Sequence, residues 1–478
     1  MVLFNEYLRE LLQQKGLTIS ALARQSGIER TALSKALAGQ RMLPYHALDA
    51  LIARLRLTPG EEQTLRRSYE AQFRREGLHR SREVVGKLFS DLATLDFSAP
   101  AFESRQLLLD MEQYARTHTV FSGATNVQPL LRMALTEELV REDARVELSV
   151  PPSYHFLNDE LLRYCLEERS TAEITQIIAF DASGPVEDVN LYNLDCFCRV
   201  LPVCLLSRRH YHPYYYYDNV TTTQYTDPFP YFLVTHCCVI CLSEDGAHAM
   251  LLRSEEQVEY FHRHFQSLLP RCRSLVEYTA DPIALLRSYG ERTDADGFYM
   301  VMDQPCFGRF YTDAFIEEYV RTDLPSRAHL VQAAQQRFAV LRQGKRFYTM
   351  FTQKGLERFA DTGTLDDFPV ALVRPFSRED RRRLMVQLAG ETRAGAVTAR
   401  ILGPGLFPDY LSMTTSIRSG VGFFTTGNFP ILDGAYSIQL QEPTLCQAFH
   451  DWLTHLADSR QALDGEATAE VLEALARA

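Results

Sequence analysis

The stretch LTISALARQSGIERTALSKALAG, residues 17–39, decides how the amino-terminal region is read. Thr18 stands where an N-cap belongs, with a hydroxyl that accepts from a backbone amide left over in a helix's first turn. ISALARQSG then runs for about two turns, with Leu22 inward, until Gly27 offers a residue at ease with positive φ. ERTALSKALAG follows as another helix: Leu33 and Leu37 share one face, and the i,i+4 pairs Arg30 with Ser34 and Thr31 with Lys35 take the opposite one. Upstream, Phe4, Tyr7, Leu8, Leu11 and Leu12 recur at helical spacing as far as Gly16. Downstream, Leu48, Leu51, Ile52 and Leu55 form a fourth stripe, and Thr58, Pro59 and Glu61 make a capping box that opens a fifth helix.

Five short helices with a tight turn between the second and third make a helix-turn-helix. The spacing from Leu17 through Ala23, Gly27, Ile28, Leu33, Leu37 and Gly39 resembles the Cro/cI (XRE) family of transcriptional regulators, over roughly residues 3–68. The resemblance implies that the third helix enters the major groove of double-stranded DNA, with Glu29, Arg30, Thr31, Ser34 and Lys35 nearest the base edges. It places Arg30 for a bidentate contact to guanine and Thr31 against a thymine methyl. Arg41 and Lys35, with Thr18 and Ser20 at the amino end of the second helix, would hold phosphates. Ile19 departs from the family, which often has a polar residue there to buttress the base-reading side chain. Heads of this type act in pairs on half-sites about one helical turn apart, so a homodimer is expected.

The net charge of −11 conceals a strong asymmetry. Residues 1–82 carry +6 and the remaining 396 carry −17, a small polyanion-binding end on an acidic body that DNA itself would repel. The longest apolar run, YFLVTHCCVICL at Tyr231–Leu242, is broken by His236 and too short to span a bilayer, and no export signal opens the chain. A cytoplasmic protein without a membrane partner is expected, its ten cysteines reduced.

With 478 residues and 46% hydrophobic content, several cores are expected. The fold class reads as multidomain, an all-α head followed by a large mixed α/β body. The head is 1–68 and a helical linker 69–98, whose Val84, Val85, Leu88, Phe89 and Leu92 pack on the body or on a dimer mate. From about Ala99, helical and extended stretches alternate, which suggests a mainly parallel sheet. The order strand, Asp-Gly turn, strand, amphipathic helix occurs at Tyr231–Leu269 and again at VGFFTTGNFPILDGAYSIQLQEPTLCQAFHDWLTHL, with Phe265 or Phe449 near the middle of the helix. Two related sensor or dimerisation lobes, 99–280 and 281–478, follow.

This closing motif resembles phospholipase-D-like lobes and the related sensor domains of bacterial regulators. Catalysis in that superfamily uses His-x-Lys-x4-Asp, and HYHPYYYYD at His210–Asp218 has no lysine, so a silent binding version is implied. No Walker loop, G-x-G-x-x-G, G-x-S-x-G or H-E-x-x-H appears, and neither an enzyme nor a cofactor is expected. Cys196, Cys198, Cys204, His210, His212, His236, Cys237, Cys238 and Cys241 lack paired C-x2-C knuckles, and CCVIC reads as core strand with Cys237 and Cys238 on opposite faces, not as a metal centre. HPYYYYDN is either a half-buried edge strand or one wall of a pocket. A small-molecule or peptide effector would bind near His212, Tyr215, Tyr217 and Asp218. The reading is a sequence-specific bacterial or phage regulator whose body dimerises and senses a ligand. The alternative is a defence-associated or binding protein, even a cryptic enzyme, whose body does the work while the head tethers or autoregulates.

Overall fold

Helix ends leave backbone groups without intrahelical partners, and the side chains that satisfy them set the boundaries of the first helices. The computed structural model describes residues 3–39, 43, 45–97, 111–166, 171–183, 189–220, 227–281, 283–284, 297–344, 346–368, 370–416, 420–426 and 436–477. Its contacts fall into two compact units, Met1–Arg80 and Ser81–Ala478.

In the first unit, α1 (Phe4–Gln14) buries Phe4, Leu8, Leu11 and Leu12. Thr18 accepts from the Ala21 amide at 3.2 Å and opens α2 (Ile19–Ser26). Gly27 closes that helix at φ 73°, a left-handed conformation in which a Cβ would be strained. α3 (Arg30–Leu37) buries Leu33, Ala36 and Leu37. After α4 (Tyr45–Leu55), the Thr58 amide donates to the Glu61 carboxylate at 2.7 Å while the Glu61 amide donates to the Thr58 hydroxyl at 3.3 Å, opening α5 (Pro59–Ala93). The amide of Thr58 and the cation of Lys15 outweigh burial and hold the Glu61 carboxyl below its ordinary value. Leu65 and Tyr69 on α5 complete the core, the Tyr69 ring standing edge-on to Phe4 at 5.1 Å.

Residues 69–93 of the expected linker are helix. Of the two expectations for its apolar stripe, packing on the body describes the structure, because Val85, Leu88, Phe89 and Leu92 are buried in the second unit's core. Phe89 is fully buried, 4.8 Å from the rings of both Phe407 and Trp452. Arg82 makes a two-pronged ion pair with Asp451 at 2.7 and 2.9 Å.

The second unit holds two sheets. The first contains β1 (Val120–Ser122), β2 (Arg145–Leu148), β3 (Glu173–Asp181), β4 (Tyr211–Asp218), β5 (Tyr231–Val234), β6 (Val239–Leu242), β7 (His248–Leu252) and β8 (Arg273–Ser274), in the order β1-β7-β6-β5-β2-β3-β4-β8. The second contains β9 (Val276–Thr279), β10 (Phe298–Val301), β11 (Phe347–Thr352), β12 (Thr398–Leu402), β13 (Leu411–Ser416), β14 (Gly420–Thr425) and β15 (Ser437–Leu440), in the order β12-β11-β10-β13-β14-β15-β9. Read from the edge strand after the meander, the orders match strand for strand: β1-β7-β6-β5-β2-β3-β4 against β9-β15-β14-β13-β10-β11-β12. The chain passes from one sheet to the other at Leu275, whose amide donates to the Pro213 carbonyl at 2.9 Å, short of the expected 280/281 division.

Each sheet is mixed, which corrects the mainly parallel expectation. β2-β3-β4 and β10-β11-β12 are parallel, and every other named pairing is antiparallel. The parallel trios arise where helices carry the chain back: α7 (His155–Cys165) and α8 (Leu191–Leu206) in the first sheet. In the second, α10 (Asp313–Tyr319) and α11 (Arg327–Gln343) join β10 to β11, and α12 (Gln353–Thr362) and α13 (Arg378–Arg393) join β11 to β12. The second unit also contains α6 (Ala124–Leu139), α14 (Pro443–Leu456) and α15 (Gly465–Arg477), and α9 (Glu255–Leu268) lies over the first sheet.

The run Tyr231–Leu242 is two strands, not one. Thr235 turns it: its hydroxyl accepts from the amides of Cys237 and Cys238 at 3.2 and 3.1 Å, and the buried Glu138 carboxylate takes the amide and Nδ1 of His236 at 2.9 and 2.6 Å. Cys237 and Cys238 therefore occupy a turn, the first exposed and the second buried. Hydrophobic run length alone could not show a turn fastened by a distant glutamate.

Candidate functional site

On α3, Arg30, Thr31, Ser34 and Lys35 are exposed on the face opposite Leu33, Ala36 and Leu37, and Glu29 precedes them, also exposed. Thr31 donates its hydroxyl to the Glu29 carboxylate, which ties Glu29 down. Arg30, Ser34 and Lys35 have no side-chain hydrogen bond or ion pair among the described residues. Two exposed cations on one short helix thus stand open to a polyanion. Thr18 is exposed but spends its oxygen on the cap, while Ser20 is exposed in the first turn of α2. Ile19 packs against the core of the head. Arg41 lies outside the described residues.

The four ligand candidates on β4 do not act together. His212 donates through Nε2 to the Glu173 carboxylate at 2.9 Å, whose other oxygen accepts from Nδ1 of His210 at 2.7 Å. Burial works upward on the Glu173 carboxyl, but the two imidazoles outweigh it and hold the group low. Asp218 accepts from the Asn219 amide at 2.7 Å. Tyr215 is buried against Phe180 at 5.0 Å, and that burial pushes its phenol up while the cation of Arg273 works the other way. The Tyr217 hydroxyl donates to the buried Glu442 carboxylate at 2.6 Å, which also caps α14 by accepting from the Leu445 amide at 2.7 Å. β4 is no bare edge: β3 runs along it and β8 covers Tyr214 and Tyr215.

A cleft of about 720 Å³ opens beside the carboxyl ends of β2, β3 and β4. Tyr215 and Tyr217 belong to its lining and His212 and Asp218 do not. The lining also includes Tyr231 and Phe232 at the start of β5 and Arg271 and Arg273 just after α9, none of which was singled out as a ligand contact in the sequence. The available signal was the Arg-x-Arg of LPRCRS, residues 269–274.

The corresponding end of the second sheet is filled. Asp303, 1% exposed beyond β10, and Asp366 share the Arg358 guanidinium, whose Nη2 donates to Asp303 at 2.7 Å. Thr352 donates its hydroxyl to Asp303 and caps α12 through the Gly355 amide at 2.9 Å. Burial pushes the Asp366 carboxyl up to about 6 even though Arg358 pulls it down.

Cys196 and Cys204 are buried on α8, their thiols pushed up to about 12 by that burial. Among the described residues, no three His, Cys, Asp or Glu side chains are gathered as a metal ion would need, and no helix is long and apolar enough to cross a membrane.

The helix-turn-helix domain family matches residues 4–65. The chain thus carries, at its amino end, a domain of the kind used by DNA-binding regulators. No curated protein matches the chain significantly. Among solved structures it is similar to the phosphatidylserine synthase of Haemophilus influenzae Rd KW20, at 11% identity over 78% of this chain and 97% of that one, with a TM-score of 0.23. At that score the likeness carries no argument.

Proposed function

We propose that the protein is a cytoplasmic, sequence-specific transcriptional regulator of the Cro/cI (XRE) type that binds its operator as a homodimer, with a body that senses a small molecule and is not an enzyme. The observation that carries this reading is the pair Arg30 and Lys35, exposed and without a protein partner among the described residues, on the third helix of a domain that matches the helix-turn-helix family. Arg30 is the base reader, Thr31 and Ser34 flank it, and Lys35 and the amino end of α2 near Ser20 hold the backbone. The acidic charge of the rest of the chain, −17 beyond residue 82, favours contact by the head alone. Ligand sensing rests on the cleft beside β2–β4, and a ligand shifts DNA binding only as far as it binds one state better than the other.

The test is fluorescence anisotropy on fragments of the neighbouring genome at two salt concentrations. Arg30→Ala should weaken binding to the preferred fragment by roughly 5- to 150-fold, and Lys35→Ala should lower the salt slope by about one. Binding that is absent, or indifferent to Arg30→Ala, removes the assignment and moves the function to the body.

A further inference from the structure

We propose that the cleft beside β2–β4 binds a nucleotide, a planar heteroaromatic ring carrying phosphate, an inference that rests on the ligand-sensing part of the reading above. Its position is that of ligand sites in open α/β sheets. β2 leads to β3 and β4 on one side and is flanked by antiparallel β5 on the other, so the crevice lies outside the carboxyl ends of parallel strands where the connections diverge. Its volume of about 720 Å³ falls within the range of small-molecule pockets.

The lining specifies the chemistry. Tyr192, Tyr216, Tyr231 and Phe232 supply aromatic surface on which a flat ring stacks. Arg271 and Arg273 are exposed and form no ion pair among the described residues, and both line the cleft beside Tyr215 and Tyr217. Two guanidiniums beside Glu244, the one lining carboxylate among the described residues, in a unit that is otherwise acidic make a local anion site. The second sheet supplies the control: at the same place in the same topology, the Arg358 guanidinium is ion-paired by both Asp303 and Asp366.

Isothermal titration calorimetry on the full chain would use AMP, GMP, CMP and UMP, with adenosine and inorganic phosphate as the separated halves and a short single-stranded oligonucleotide as competitor. At least one mononucleotide should bind, each half at least tenfold more weakly. Arg271→Ala and Tyr231→Leu should each weaken binding about tenfold while thermal unfolding stays unchanged. No mononucleotide binding at millimolar concentration, equal binding by Arg271→Ala with Arg273→Ala, or tighter binding of the oligonucleotide overturns the proposal. DNA anisotropy on the same samples separates the two readings: operator binding without nucleotide binding removes the nucleotide site alone, and nucleotide binding without operator binding removes the regulator.

Discussion

The two sheets of the body have one strand order and two different uses for it. In the second, the helix after the meander, α14, buries Leu445, Phe449, Trp452 and Leu453, and the carboxyl end of the parallel trio is plugged by Asp303, Arg358 and Asp366. In the first, the equivalent helix α9 buries Phe265 alone, Tyr260 on it is 62% exposed, and the carboxyl end is an open cleft. Shared topology therefore does not dictate shared function. Side chains decide whether a crevice is sealed or left open.

The sharpest break in this comparison should come from the paired phenylalanines. Phe449 touches Phe89, Phe197 and Phe423 at ring separations of 5.4–6.0 Å, so Phe449→Ala should cost close to 5 kcal/mol in urea unfolding. Phe265 has Phe232 at 6.3 Å under a mostly exposed helix that can settle, and Phe265→Ala should cost about 3 kcal/mol. Equal losses would mean that the two helices are equally integrated into the core.

Next in size is the plug. Arg358→Leu strands the carboxylates of Asp303 and Asp366, 1% and 5% exposed, and should cost about 3 kcal/mol in urea unfolding. Arg271→Ala, at the open end, should stay within about 0.5 kcal/mol. A large loss from Arg271→Ala would show the first sheet's end to be structural as well.

The plug also predicts a pH dependence. Because the folded state holds the Asp366 proton up to about 6, this group's contribution is fully present below the ordinary carboxylate range and is lost as pH rises through about 6. Across pH 4–7 the wild type should therefore lose about 1–3 kcal/mol relative to Asp366→Asn. Parallel stability profiles would contradict it.

The smallest effect belongs to the join between the sheets. Glu442→Ala removes the α14 cap and the acceptor of the Tyr217 hydroxyl, for about 1 kcal/mol. It should also ease ionisation of Tyr217, which burial and then Glu442 now oppose, readable by alkaline difference absorbance against a Tyr217→Phe control.

The head was legible because its signals are local. Thr18, Gly27, Thr58 and Glu61 act on residues three or four positions away and do in the structure what their spacing predicts. The repeated closing motif at Phe265 and Phe449 was also visible, since each copy is contiguous in sequence. The wall of the cleft was legible only in part. Tyr215 and Tyr217 line the cleft, but His212 turns to Glu173, 39 positions away, and Arg271 and Arg273 arrive from beyond α9. The plug was not legible: Asp303, Arg358 and Asp366 are ordinary surface residue types until strands 49 positions apart are set side by side.

By itself, the sequence determined the five-helix head, its basic charge, the alternation of helix and strand, and the duplication, because capping, periodicity and charge depend on near neighbours or on composition. Tertiary structure alone decided that Phe89 enters the body's core, that Tyr231–Leu242 folds back on itself at Thr235, and which of two matching sheets keeps its crevice open. Each of these depends on groups remote in sequence meeting in a buried place, where partners determine whether a charge seals a core or awaits a ligand.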